Sequence, residues 1–410
     1  NFIYEKLNFE LFISRRIRKT TLQKNYYSGP IIKICNMAIA ISIIVIIITV
    51  STGYGLKKTI TQNLINIQSH IQITHINQNN ETQSISIHED TFKKIKSIAG
   101  VKQIHPIILK SSIIKNNDTM EGVIIKAIQN DYKKDFIKKH ITQGTYFKNE
   151  ANDQMLISEQ QAQKLNLKNG DHCILYFLSQ KKNIQKRKFY IAGVFDFKNE
   201  EFNQNFCLVK QNALQKINKW EDNQYTQFEI ELNKSANTDK VSKEITKLLD
   251  YNLIAQTLSE KFSKLFQWIK LFDKNIAFIL IIMTLICIIN MTNTLLILII
   301  ERIQMIGILK SFGCTNYSII KIFLYNSINI SIKSIITGNI IALILCYIQI
   351  QTQLISLDPK SYFIDSLPLD INLKWIIIIN IVTFFLIQFS IIVPYFAINK
   401  LSPTKILKFK

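Results

Sequence analysis

Four stretches of the chain are apolar for long enough to cross a bilayer, and the polar residues are arranged around them. The first, residues 31–53, carries no charge after Lys33. It is too long for the apolar region of a signal peptide, and no small-residue cleavage site follows it. The second, residues 276–300, would reach about 37 Å as a helix, enough to span with some tilt. The third runs from 322 to 350 and the fourth from 373 to 396. Lipid leaves open backbone groups without partners, so each stretch is predicted to be a transmembrane helix.

Between the first and second apolar stretches the period changes. Residues 57–270 are polar, and short runs alternate as strands do: "HIQITHI" from 70, "QSISI" from 83, "GVIIKAI" from 122, "KFYIAGVF" from 188 and "QFEIEL" from 227. "SEQQAQKLNL" opens with Ser158 and has Gln161 three residues later, the start of a capped helix. Gly170 and Asp171 then turn the chain into the strand "CILYF". The predicted class is a membrane protein of four transmembrane α-helices, with a large α+β domain between the first and second. The expected divisions are an interfacial helix in 1–30, the first span in 31–56, the α+β domain in 57–270, and three spans in 271–410. The last part includes a compact helix at 301–318 and a basic tail.

Charge orients this arrangement. Lys6, Arg15, Arg16, Arg18, Lys19, Lys24 and Lys33 precede the first span, opposed only by Glu5 and Glu10. Lys400, Lys405, Lys408 and Lys410 follow the fourth with no acid among them, whereas the 351–374 loop holds Asp358, Asp365 and Asp370 against Lys360 and Lys374. The positive-inside rule places both termini, and with them residues 301–320, in the cytoplasm. The long 57–270 domain crosses to the outside whatever its lysine content. Phe9, Phe12, Ile13 and Ile17 give the opening helix one apolar face beside its arginines, as an interfacial helix has. The net charge of +21 raises nucleic acid as a partner. No basic stretch has the pattern of a recognition module, and an Ile-, Asn- and Lys-rich composition reflects AT-rich coding, so no nucleic-acid partner is expected.

Candidate chemistry is sparse. The sequence has no GxSxG, no HExxH and no GxxxxGK[ST]. "GILKSFG" from 307 has two glycines, but no Lys-Ser or Lys-Thr follows Gly313. The six histidines (His70, His75, His88, His105, His140, His172) are scattered and read as solvated or core residues. Cys35, Cys287 and Cys346 fall in apolar runs and Cys314 in the 301–320 segment. Cys173 and Cys207 share the polar domain, but their spacing does not require a disulfide. With no CxxC, no zinc site is expected. The chain is therefore expected to hold no catalytic residue, cofactor or metal, and not to be an enzyme by itself.

The segment between the second and third spans remains to be explained. Met305, Ile308, Leu309 and Phe312 stand at i, i+3, i+4 and i+7, one apolar face of a short helix, with Gln304, Lys310 and Ser311 elsewhere. Such a face suits either a groove on another protein or the lipid surface. Lys333 lies inside the third span, where a charge at the centre costs about 3 kcal/mol. It either lines an interface or snorkels toward the cytoplasmic end. Trp268 and Trp375 sit near the outer ends of spans, as interfacial anchors do.

One long span, a large outside domain and three further spans resemble the FtsX-like family of ABC transporter permeases. "NMTNTLLILIIERIQMIGILKSFGCTNYSIIKIFLYNS" (290–327) is similar to the family's second span and following segment. "VPYFAINKLSPTKILKF" (393–409) is similar to its C-terminus, with Pro394 and Pro403 before a basic tail. "MLISEQQAQKLNLKNGDHCILYF" (155–177) resembles the strand–helix–strand of its MacB-like periplasmic core domain. "SHIQITHIN", "KFYIAGVFDF" and "LDPKSYFIDSLPLDIN" resemble the lipoprotein-releasing permeases of Bacteroidota. Ile and Asn stand where family members have Gly and Ala, leaving Gly338 alone in the third span.

The resemblance implies a mechanical transport subunit in the bacterial inner membrane. Glu301, Arg302, Met305, Ile308, Leu309 and Phe312 would form a coupling helix docked on a separate ABC ATPase. The partners implied are that ATPase, a second permease copy or paralogue, a membrane lipoprotein as substrate and a periplasmic lipoprotein carrier. Within the same family, the alternatives are an activator of cell-wall hydrolases or an exporter of peptides or drugs. Outside it, the alternative is a membrane scaffold or sensor without transport, which leaves the 301–320 face unexplained.

Overall fold

The computed structural model describes residues 9–21, 28–76, 84–116, 119–148, 153–178, 184–221, 223–357, 364 and 366–400. The chain divides into two compact units: residues 1–57 with 269–355 and 367–410, and residues 58–268 with 356–366.

Four helices among the described residues are long and apolar enough to cross a membrane: Gly29–Gln68, Ser263–Glu301, Asn316–Thr352 and Leu373–Phe396. The first of these carries Pro30 in its opening turn, where no backbone donor is lost. The last is not one regular helix. An α-helix over Leu373–Gln388 gives way to a 3₁₀ turn at Phe389–Ile391, and an α-helix resumes at Ile392–Lys400. Pro394 causes the break, since it has no N–H to give the carbonyl of Ser390 four residues back. The Thr292 hydroxyl donates to that freed oxygen at 3.4 Å.

Ile39, Ile43 and Ile47 of the first helix pack with Cys287, Met291 and Leu295 of the second and Ile319, Phe323 and Ile330 of the third. Polar side chains tie the helices together as well. Asn339 and Asn380 exchange amide hydrogen bonds of 3.1 and 2.9 Å. The Ser334 hydroxyl donates to Asn36 at 3.1 Å, and Gln388 joins Ser327 and Ser331. Hydrocarbon offers these groups no alternative partner, so these asparagines act as interhelical contacts. The amphipathic opening helix, Phe9–Thr21, packs on Asn316–Thr352. It buries Ser14 and Ile17 and leaves Phe9 and Phe12 exposed, so the single apolar face expected from the sequence is divided between two surroundings.

The described residues of the second unit form ten strands. They are β1 (Ile71–His75), β2 (Val101–Asn116), β3 (Thr119–Ile128), β4 (Ile141–Gly144), β5 (Gln154–Ser158), β6 (His172–Leu178), β7 (Ile184–Phe195), β8 (Phe206–Lys210), β9 (Gln227–Leu232) and β10 (Leu253–Thr257). The order β10-β1-β9-β2-β3-β8-β5-β7-β4 is completed by β6, which bridges β2 and β7. The pairs β2-β3, β3-β8, β8-β5, β5-β7, β7-β6 and β6-β2 therefore close a six-stranded ring. Ile114, Ile125, Met155, Phe177, Phe189 and Val209 are among the residues that fill its core. The long strand β2 serves both parts. Its first half pairs with β9 in the four-stranded extension, and its second half pairs with β3 and β6 in the ring.

Strands stand at five of the expected places. The "QSISI" strand does not form: Gln83 lies outside the described residues, and Ile85 makes only an isolated bridge to Tyr225. Ser158 caps its helix by accepting from the Gln161 N–H at 3.2 Å. The Gln161 side chain does not return to the cap; it donates to the Gln204 carbonyl and accepts from the Cys207 thiol. The complete capping box is at Thr257 and Glu260. Cys173 and Cys207 are free and buried, and burial pushes the Cys173 thiol up to about 12.

Candidate functional site

The 301–320 segment is shorter as a helix than its sequence predicts. The second long helix closes at Glu301; Arg302, at φ −106° and ψ 19°, turns the chain into a helix of nine residues, Ile303–Ser311. The compact helix expected over 301–318 is corrected accordingly, since residues 316–318 already belong to the next long helix. The reason is local. Gly313 has φ +82°, the Cys314 N–H bonds the Leu309 carbonyl at 3.0 Å, and the Gly313 N–H bonds that of Lys310 at 3.0 Å. This is a Schellman end, which needs a left-handed residue just past the helix and takes glycine there. Thr315 then caps the next helix by accepting from the Ser318 N–H.

The four apolar positions are not equally covered. Ile308 is 48% exposed and Phe312 84%, while Met305 and Leu309 are half-buried. Ile306 and Gly307 face inward, Ile306 packing in the same core as Ile319, Phe323 and Ile398. Lys310 is not free on the far side: its ammonium donates to the Ile398 carbonyl at 2.9 Å. What projects is an apolar edge of Ile308 and Phe312, followed by Tyr317, 67% exposed, with the Lys321 ammonium 4.6 Å from its ring centre. Lys333 is exposed on the outer face of Asn316–Thr352. It lies twelve residues beyond Lys321, about 18 Å along the helix.

A second constellation lies inside the strand-bearing unit. The Lys126 ammonium on β3 donates to Glu229 on β9 at 2.7 Å, to the Tyr132 hydroxyl at 2.8 Å and to the Ile67 carbonyl at 3.0 Å. Tyr132 donates to Glu229 at 2.5 Å, and Gln227 and Ser69 also donate to that carboxylate. Lys126 and Glu229 are 2% and 0% exposed, so neither charge could persist there without the other. Burial lowers the Lys126 ammonium pKa, and Glu229 offsets part of that. Burial alone would raise the Glu229 carboxyl, but Lys126 and Lys133 outweigh it and hold the group below its ordinary value. His105 stacks edge-on against Tyr132, and the described residues include no cluster of three metal-ligand side chains.

The sequence profile of the MacB-like periplasmic core domain matches residues 36–248, and that of the FtsX-like permease C-terminal region matches residues 277–403. The chain belongs to the FtsX-like permeases with a MacB-like periplasmic core domain. It is 27% identical over 380 residues to the lipoprotein-releasing system transmembrane protein LolC of Buchnera aphidicola from Schizaphis graminum, covering 90% of this chain and 92% of the relative. The LolC of Buchnera aphidicola from Acyrthosiphon pisum is 28% identical over 97% of this chain and 98% of its own length. The LolE of Haemophilus influenzae is 21% identical over 98% and 99%. The solved periplasmic region of MacB from Actinobacillus actinomycetemcomitans aligns with 48% of this chain and 92% of its own at 13% identity and a TM-score of 0.34.

The protein is thus an ABC transporter permease of the LolC, LolE, MacB and FtsX type. In the permease, Glu301, Arg302, Met305, Ile308, Leu309 and Phe312 fall together in one short segment, and Lys333 stands apart from them. The Lys126–Tyr132–Glu229 cluster was missed from sequence. Its signal was a lysine at the centre of "GVIIKAI", a run otherwise apolar.

Proposed function

We propose that this permease couples ATP hydrolysis by a separate ABC ATPase in the cytoplasm to movement of its periplasmic domain, and so releases lipoproteins from the inner membrane toward the outer membrane. Ile303–Ser311 would be the coupling helix. Both termini would lie in the cytoplasm, and the partner across the transporter would be a second copy or a paralogue. The reading is carried by the apolar edge of Ile308 and Phe312, which projects from a helix set off by the turn at Arg302 and closed by the Schellman end at Gly313. An exposed phenylalanine beside a buried Ile306 anchor suits insertion into a groove of another protein. Lipoprotein cargo is supported by the names of the LolC and LolE relatives.

The test is retention of the ATPase by the full-length permease in detergent. Phe312→Glu and Ile308→Glu should lose it, and Leu309→Glu should weaken it, with normal membrane levels. Tyr251→Glu, at a position 95% exposed in the strand-bearing unit, should retain it. If Phe312→Glu holds the ATPase as well as the unmodified protein does, the docking reading fails and the segment rests on lipid.

A further inference from the structure

The helix Ser28–Gln68 ends in a turn whose carbonyls would ordinarily be left to water. Here they are taken up by side chains from elsewhere in the strand-bearing unit. The Ile65 carbonyl receives the Lys133 ammonium at 2.7 Å and the Ser69 N–H at 2.8 Å. The Ile67 carbonyl receives Lys126 at 3.0 Å, and the Tyr132 hydroxyl, which gives its one proton to Glu229 at 2.5 Å, accepts from the same ammonium at 2.8 Å. The Gln68 carbonyl receives the Gln72 amide at 2.8 Å. Two ammonium groups therefore sit at the negative end of the helix dipole, where cations are favoured. Glu229 neutralises one of them from the far side and is itself fixed by Tyr132, Gln227 and Ser69.

Hydrophobic packing alone would let such a terminus slide or fray, because its contacts are non-directional. Hydrogen bonds from Lys126 on β3 and from Lys133 in the turn at 132–133 fix its position and its rotation, with Tyr132 and Glu229 of β9 holding Lys126 in place. Ser69, at φ 64°, turns the chain at once into β1, which leaves no slack between helix and sheet. We propose that Lys126, Tyr132 and Lys133 are positioning residues for transport: they lock the end of the first span helix to β3 and β9, so that the sheet must follow any movement of that helix. The proposal rests on the mechanical reading above and names the joint through which movement leaves the helix.

Single removal of Lys126 would strand a buried carboxylate, so the test uses changes that leave no uncompensated charge. They are Tyr132→Phe, Lys133→Met and the pair Lys126→Met with Glu229→Gln, each in the full-length permease in nanodiscs of phosphatidylethanolamine and phosphatidylglycerol. The first measurement is hydrogen exchange at amides 66–70. Loss of capping hydrogen bonds should speed it by about tenfold while the melting midpoint barely moves. The second is lipoprotein released per ATP hydrolysed with the cognate ATPase, which should fall at unchanged ATP turnover. A purely structural role would lower both activities in proportion to folded protein. Unchanged exchange in all three variants, or unchanged release per ATP in them, overturns the proposal. If the unmodified permease retains no ATPase, it is the proposed function that fails, and exchange at 66–70 then decides the joint alone.

Discussion

A Cβ placed on Gly338 would stand 2.9 Å from the backbone oxygen of Ala40 and 2.9 Å from the Cβ of Ile43. The first and third span helices touch at this glycine, and the backbone oxygen cannot turn aside. Gly338→Val should therefore destabilise the helix pair by about 1–3 kcal/mol, the range for overpacking a well-fitted contact. A lower melting temperature in detergent would show it, and an unchanged one would mean that the helices separate there at no cost.

Asn339 and Asn380 each donate to and accept from the other. Asn339→Leu and Asn380→Leu should each cost about 0.5–1.5 kcal/mol, since each strands one amide. The double variant should cost less than their sum, because it removes both polar groups together. Additive losses on thermal melting would show that the two amides find partners independently.

Gly313 has open space around its Cβ position, yet its φ of +82° is costly for any L side chain. Gly313→Val should thus act through the turn and not through a clash, loosening the Schellman end by about 1–2 kcal/mol. The expected outcome is weaker ATPase retention at normal membrane level. Retention equal to that of the unmodified protein would mean that the turn does not set the docking edge.

The buried cluster gives stability a defined pH dependence. Glu229 is held below its ordinary value, so its contribution is present above pH 4.5 and is lost as pH falls through the lowered folded value. Lys133 shifts the other limb. Burial, with Lys126 adding to it and Glu229 opposing, brings its ammonium down to about 7 from 10.5. The folded state then releases this proton more readily than the unfolded chain, so stability should rise between about pH 7 and 10.5. Melting midpoints of the full chain against pH should lose the acid limb in the pair Lys126→Met with Glu229→Gln and the alkaline rise in Lys133→Met. Curves that keep their shape in both variants would show that other groups set it.

The spans and their cytoplasmic ends can be tested directly. A reporter fused after Lys410 should be active only in the cytoplasm, and one inserted beside Asn183 only outside. The opposite result at either site would refute the proposed topology.

Several elements were legible from local chemistry alone. Length and apolarity define the four long helices, because lipid forbids open backbone whatever the tertiary arrangement. Alternation gave Ile71–His75 and Gln227–Leu232, since each depends on a few adjacent residues. Other elements depend on distant partners. Strand β2 was hidden by Pro106, which usually argues against a strand. In the structure the Pro106 stretch pairs with β9, and β3 and β6 join β2 only further along, so the missing donor breaks no ladder described there.

The face of the short helix likewise could not be divided from sequence. Met305, Ile308, Leu309 and Phe312 share one stripe by periodicity, but only the position of Ile319, Phe323 and Ile398 decides that Ile306 turns inward and Phe312 stays out. Lys126, Tyr132 and Glu229 are the strongest case. The sequence by itself showed a lysine in an apolar strand and a glutamate in another. Burial of both charges became tolerable only when the fold brought β3 and β9 to one helix end, since each charge is stable there only with the other beside it.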